Sequence, residues 1–393
     1  MNKKHKVLSI CSWYPNEYNP TLGNFVQKHA ECISLYNEVI TLSIFPDTNS
    51  KVHRIQINEK ENLIELIIYY PKKEKGIRVL NLFLNFISHF KAFKIGFQKV
   101  KDKFDLPDIV HLNVIYPLGI WAYWLKIKYK IPYVISEHSS GFHLDSNHSY
   151  PNRILIFCKF ILKYASMVLP VSENLRNNLE SLSPTTKFSI ISNVVDEKIF
   201  LPSSSISDKD SLKLIHISTG VDEIKNLSGM IRVFEKIKLQ NSKITLDIVC
   251  DGNVQYAKDL SQKLELQDNV IFHSTKTTSE IAKMFQEHDA LLLFSNYENF
   301  PCVIAESLMC GKPVIATNVN GIPEHIKTEN GILVEPRHED ALFDAIIRFS
   351  KEKNNFNSKN IRQYALKNFS YTIIGKKISE IFDEILLTEP KKN

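Results

Sequence analysis

Along the chain, short unbroken apolar runs alternate with longer stretches whose apolar residues recur every three to four positions. Runs rich in Val, Ile and Leu are the pattern of strands buried on both faces, whereas three-to-four spacing marks helices that pack by one face. Strands are expected in the first half near residues 7–10, 39–44, 63–70, 109–112, 133–136, 167–171 and 188–192. The second half repeats the rhythm near residues 212–218, 244–250, 270–273, 290–294, 313–317 and 331–334. Strands separated by helix-length segments predict parallel sheets covered by helices, an α/β architecture. Between the halves stands the polar stretch PSSSISDKDS, residues 202–211, suited to a linker. The expectation is two doubly wound, Rossmann-like domains, 1–200 and 201–370, with a cleft where the carboxyl ends of the strands converge. A last segment, 371–393, carries Ile374, Ile378, Ile381 and Ile385 at helical spacing and is expected to pack back across the domain junction.

Composition narrows the class. A chain of 393 residues with 44% hydrophobic and 23% charged residues is long enough for two cores. Its net charge of +6 is uneven: residues 1–200 hold 25 Lys and Arg against 17 Asp and Glu, and the remainder 24 against 26. The first half is therefore expected to face something anionic, a membrane surface or a charged substrate. Nucleic acid is not the expected partner, because zinc-finger spacing, RNA-binding aromatic motifs and basic arms are all missing. The opening apolar run, residues 7–11, is too short for a secretory signal, and no uncharged stretch reaches the roughly 18 residues of a membrane span. The six cysteines form no C-x-x-C pair, which argues against zinc and disulfides and for a reducing, cytoplasmic location. On that expectation the sequons at Asn147, Asn226 and Asn368 carry no weight.

Candidate chemistry concentrates in SNYENFPCVIAESLMCGKPVIATNVNG, residues 295–321. Pro301 suits the first turn of a helix and Gly311 its left-handed end. The free N–H groups and positive dipole of that helix start make an anion site, suited above all to phosphate. Glu306, one to two turns in, is placed to accept hydrogen bonds from ribose hydroxyls, and Glu298, before the helix, to reach a sugar beyond the phosphate. Two rings flanking a phosphate describe a nucleotide-sugar. The alternative from spacing alone is that both glutamates are solvated charges.

The stretch from Ser295 to Ile326, with NGILVEP after it, resembles the signature of the retaining glycosyltransferases of family 4. SWYPNEYNPTLGNFVQKHAECI, PYVISEHSSGF, LPVSENL, ISNVVDEKIF and HISTGVDEIKNLSGMIRVFEKI resemble further segments of that family in the same order. The resemblance implies a GT-B fold and metal-free, retaining sugar transfer from a UDP- or GDP-type donor, with no cofactor. It implies that Glu306 binds the donor ribose and Glu298 the sugar hydroxyls, and that the backbone of Asn299, Phe300, Pro301 and Cys302 meets the phosphates. Lys225 would neutralise the leaving diphosphate, Gly23 would let the first loop approach phosphates and acceptor, and His138 would stand near the sugar. Each has a plainer alternative: Lys225 as a solvated helix-start residue, His138 as a structural group with Glu137 the working one, Gly23 as a turn after Pro20.

Two positions depart from the family pattern. Gly220, counted with the donor-side residues, stands where relatives commonly carry arginine, and Cys250 replaces a glycine in the nucleotide-side turn. The Asp208–Lys209–Asp210 spelling of a metal motif follows no strand and reads as surface charge. Residues 78–104 form a helix-like segment dense in Phe, Leu and Lys, which either lies on an anionic membrane or packs its apolar stripe into the core. Peripheral contact with the inner face of the membrane would make a glycan or lipid-linked precursor the natural acceptor. A non-catalytic partner subunit, with Gly220 as its support, is the alternative; a nucleotide-sugar epimerase lacks the acid–base set it needs.

Overall fold

The computed structural model describes residues 4–74, 76–143, 149–203 and 211–389; the Asn147 sequon and Asp208–Lys209–Asp210 lie outside them. The chain divides into two compact units. The first comprises residues up to Val171, Leu175–Ile191 and everything from Tyr371 onward; the second comprises Ser172–Asn174 and Ser192–Ser370.

The first unit is built on β1 (Lys6–Cys11), β2 (Glu38–Asp47), β3 (Arg54–Lys60), β4 (Leu63–Pro71), β5 (Ile109–Asn113), β6 (Tyr133–Glu137) and β7 (Met167–Pro170). They form one sheet in the order β3-β4-β2-β1-β5-β6-β7, parallel throughout except for the antiparallel β3–β4 hairpin at one edge. β3 departs from the expected strands. Its alternating RIQINEK buries neither face, so no apolar run announces it, and its partner β4 holds it by backbone pairing and by polar side-chain bonds, Asn58 to Glu65 and Tyr69 to Gln56. The strand expected at 188–192 is instead an extended segment with one bridge, Val168 to Phe188, because Phe188 and Ser189 are only half-buried and Ile190 is exposed.

The second unit holds β8 (Leu212–Ser218), β9 (Ile244–Cys250), β10 (Val270–His273), β11 (Ala290–Leu293), β12 (Val314–Thr317) and β13 (Gly331–Val334), all parallel, in the order β10-β9-β8-β11-β12-β13. Starting at β8, the order runs out to one side through β9 and β10, then reverses to the other through β11. Such a reversal leaves a crevice at the carboxyl ends of the two central strands, where doubly wound sheets bind ligands. Leu214, Phe234, Ile248, Leu292, Phe294 and Phe349 lie in a core that fixes both central strands.

The final helix, Tyr371–Thr388, belongs to the first unit. It packs on the helix Asn24–Ser34 so closely that a Cβ at Gly375 would stand 2.2 Å from the Cys32 carbonyl oxygen.

Candidate functional site

The loops leaving β8 and β11 flank the reversal point of the second sheet, and they carry Gly220, Lys225 and Glu298. After β8 the chain turns at Gly220 with φ of +73°, where a Cβ would meet Val254 Cγ1 at 2.4 Å. Only glycine fits such a turn without strain. A buried relay holds it: Gly220 N–H donates to Ser218 Oγ at 3.1 Å, and Ser218 Oγ lies 2.8 Å from His216 Nε2. His216 Nδ1 stands 2.9 Å from the Leu292 carbonyl on β11, so that nitrogen must donate and Nε2 must accept. Burial pushes His216 down to about 4, which keeps the ring in this neutral form. Cys250 Sγ sits 3.6 Å from the same Ser218 hydroxyl. His216 and Ser218 are part of the site's support that sequence reasoning missed; HIS at the end of an apolar strand was the available signal.

The short helix Asp222–Lys225 follows, ended by Asn226 in the left-handed region at φ of 51°. Its end is tied to the loop after β11 through Asn296, whose N–H donates to the Ile224 carbonyl at 2.8 Å and whose amide donates to the Glu223 carbonyl at 3.0 Å. These bonds bring Lys225 Nζ to 2.5 Å from Glu298 Oε1, and Ser295 Oγ donates to the same oxygen at 2.9 Å. The pair is largely withdrawn from water, with side chains 15% and 8% exposed. Neither reading of these residues as solvated charges holds.

The backbone of this loop is braced from behind. Thr317 Oγ1 donates to the Ser295 carbonyl at 2.6 Å, and a Cβ at Gly321 would stand 2.0 Å from the Asn299 carbonyl oxygen. Phe300 is buried against His325 and Phe369, and its carbonyl accepts from Asn193 Nδ2 at 2.7 Å. Its side chain therefore anchors the loop. The helix that follows, Cys302–Met309, takes Pro301 as its N-cap, one residue earlier than the first-turn position expected from sequence. Gly311, at φ of +72°, closes its other end as expected: Gly311 N–H donates to the Leu308 carbonyl and Lys312 N–H to the Ser307 carbonyl, both at 3.0 Å. Glu306 lies between them, buried on this helix beside Ala305 and Ser307.

Gly23 and His138 belong to the first unit and lie close to one another there. Gly23 precedes the helix Asn24–Ser34 at φ of +62°, and a Cβ on it would meet the Trp13 carbonyl carbon at 2.6 Å. The His138 ring sits 4.5 Å from Phe25 and 5.2 Å from His29, both on that helix. Glu137, the alternative working residue, is fully buried and accepts from three backbone N–H groups, those of Ile115, His138 and Ser139, at 2.7 to 2.9 Å. Burial outweighs these bonds and raises its carboxyl above the usual range. Its three bonds hold the turns after β5 and β6 in place.

Comparison with known proteins agrees with this fold. Residues 198–368 match the family model of group 1 glycosyl transferases, and residues 60–198 match that of glycosyltransferase family 4. N-acetyl-alpha-D-glucosaminyl L-malate synthase of Bacillus anthracis is 29% identical over 261 residues, covering 63% of this chain and 66%, just under two thirds, of that protein. Alpha-monoglucosyldiacylglycerol synthase of Streptococcus pneumoniae is 23% identical over 305 residues, 72% of this chain and 67% of that one. Among solved structures, sucrose-phosphate synthase from Thermosynechococcus elongatus superposes with a TM-score of 0.78 at 19% identity, covering 98% of this chain and 100% of its own. Anabaena HepE in complex with UDP-glucose superposes at 0.72 and 16% identity, over 97% and 100%. The two family matches together span residues 60–368 and the fold likeness covers nearly all of both units, so the chain belongs to the group 1, family 4 glycosyltransferases and has their GT-B fold.

Proposed function

We propose that this glycosyltransferase moves a sugar from a UDP- or GDP-type nucleotide-sugar to a glycan or lipid-linked acceptor, with retention at the anomeric carbon and without metal. The observation that carries the reading is the Lys225–Glu298 pair at the reversal point of the second sheet, beside the start of the helix Cys302–Met309. With donor bound, the Lys225 ammonium turns to the diphosphate and stabilises the charge that grows as the glycosidic bond breaks. Glu298 then accepts hydrogen bonds from the sugar hydroxyls, and Glu306 from the ribose. The N–H groups at the helix start complete the phosphate cradle. Gly23 lets the first loop approach the phosphates and the acceptor, and His138 stands near the transferred sugar. The acceptor hydroxyl attacks on the leaving group's face and its proton passes to the departing phosphate oxygen. The UDP-glucose complex of HepE supports the donor class, and the diacylglycerol glycolipid named for the streptococcal relative supports a lipid acceptor.

The basic first unit supports action at a membrane surface. On the helix Arg78–Phe104, the second half packs inward through Phe93, Phe97, Val100 and Phe104. The first half does not: Val79, Leu82, Phe83 and Phe86, on one helical face, are 60 to 76% exposed. Exposed Arg78, Lys91 and Lys94 lie on the same helix. An apolar face flanked by cations matches the interface of an anionic bilayer. No helix among the described residues is long and apolar enough to cross it.

The test is a panel of nucleotide-sugars with the purified protein, followed by the best donor with lipid extracts. Release of free sugar and nucleoside diphosphate, undiminished by EDTA, supports the reading; trapping of a glycosyl adduct on a carboxylate overturns the front-face route. Gly220 in place of arginine favours one alternative, a non-catalytic partner subunit, which would bind donor without turnover even with acceptor present. Cosedimentation with anionic vesicles, lost in an L82S/F83S/F86S variant, tests the membrane contact.

A further inference from the structure

A cavity of about 290 Å³ lies wholly within the first unit, between the loop that leaves β1 and the β3–β4 hairpin. Glu65 lines it and is the most constrained group there, 5% exposed. Its carboxylate accepts from Tyr14 Oη and Gln27 Nε2, both at 2.6 Å, and from Asn58 Nδ2 at 2.5 Å. An amide whose NH2 is committed to a carboxylate is held in one orientation and keeps its carbonyl oxygen for other donors. Among the described residues, Gln27 Oε1 and Asn58 Oδ1 take no intramolecular hydrogen bond. Gln56 presents the complement, because its oxygen accepts from Tyr69 Oη at 3.0 Å and its NH2 remains for a ligand.

Charge decides what these groups fit. Two carboxylates, Glu65 and Glu17, line the cavity. The nearest cations are engaged: Arg54 pairs with Glu17 and with Asp47, and Lys60 lies 2.8 Å from Glu31 and 3.8 Å from Glu65. No cation is left over for a phosphate or a carboxylate, while oriented amide acceptors and a donor suit hydroxyl groups. Pro15 and Pro20 add apolar surface of the kind a sugar ring lies against.

We propose that this cavity is a subsite for one neutral sugar ring of the acceptor, with Gln27, Gln56 and Asn58 bonding its hydroxyls and Glu65 holding the amides in position. The assignment to the acceptor rests on the sugar-transfer reading above, in which Lys225, Glu298, Glu306 and the start of the helix Cys302–Met309, the main groups assigned to the donor, stand in the second unit. The cavity opens instead beside the loop that ends at Gly23.

The test uses saturation-transfer NMR on the full chain with methyl glycosides of neutral hexoses, N-acetylhexosamines and a uronic acid. Transfer to one or more neutral glycosides, little transfer to the uronide, and loss of the signal in a Q56A/N58A variant are expected. Both side chains stand on the exposed edge strand β3, so an unchanged melting temperature shows the variant folded. Once an acceptor is known, the same variant raises its KM about thirtyfold, the effect of losing two neutral hydrogen bonds, with a smaller change in kcat. Absence of binding by every neutral glycoside, preference for the uronide, or an unaltered signal in the folded variant overturns the proposal. Absence of donor turnover by the parent protein overturns the transferase reading instead, and leaves the NMR result to stand by itself.

Discussion

Lys225 and Glu298, 73 positions apart in the chain, meet at 2.5 Å where the loops after β8 and β11 converge. A largely buried pair of this kind leaves an uncompensated charge when either partner is removed. The ligand-free protein thus keeps a cation and a carboxylate in register, each neutralising the other until a substrate divides them. Ser295, fully buried and bonded to the same carboxylate oxygen, keeps Glu298 in place if the lysine turns away.

Lys225→Ala and Glu298→Gln are each expected to lower kcat by about 10² to 10³, the range for removing one preorganised electrostatic group. Because the two act as a unit, the double variant should lose clearly less than the product of the single losses. A double-mutant cycle on kcat/KM measures this; strict additivity would show that the groups work independently.

Gly220→Arg, which installs the residue that the family resemblance implies at this position, is expected to damage the site. The positive φ and the Val254 methyl at 2.4 Å leave no room for a Cβ, and the strained backbone alone costs about 1–3 kcal/mol. The melting temperature should fall and the donor KM should not improve. A tighter donor complex in the variant would show that the loop re-forms around arginine.

Gly23→Ala meets the Trp13 backbone at 2.6 Å with φ of +62°. Destabilisation of about 1–3 kcal/mol is expected from the backbone conformation, with donor hydrolysis and acceptor-dependent turnover both falling in the variant that remains folded. Denaturant melts and paired kinetics separate the two effects.

Stability should decline as the solution is acidified below neutrality. Burial pushes His89, His216 and His325 down to about 4 and His111 to about 3, from an ordinary value near 6.5. Between pH 6.5 and 4 the unfolded chain binds protons that the folded chain refuses, so unfolding becomes easier as pH falls. Each histidine contributes a slope of up to about 1.4 kcal/mol per pH unit. Melting temperatures across pH 7.5 to 4.5 check this; a flat profile would mean the imidazoles are solvated.

Much of this architecture was legible because buried parallel strands are nearly continuous apolar runs. ALLLFS and KLIHIS could hardly be anything else. β3 was not legible, since RIQINEK buries no apolar face and is held by its pairing with β4 and by polar side-chain bonds that no local pattern announces. The glutamates, the lysine and Gly311 were visible as residue types at suggestive spacings. What spacing could not supply was their partners: the Lys225–Glu298 contact depends on Asn296 bridging two loops, and Gly220's turn depends on a histidine and a serine ahead of it. The cavity around Glu65 draws on the first loop, a helix and a hairpin, segments joined by no local motif.

The closing helix Tyr371–Thr388 sets an order of assembly. Its seat on Asn24–Ser34, close enough that Gly375 admits no side chain, is filled only when Tyr371–Thr388 has left the ribosome. Until then the nascent first unit displays an unfinished apolar surface while the whole second unit is synthesised. A stop codon shortly before Tyr371 would therefore injure the first unit and not the second unit that precedes it in the chain, and co-expression of the missing peptide in trans should restore solubility.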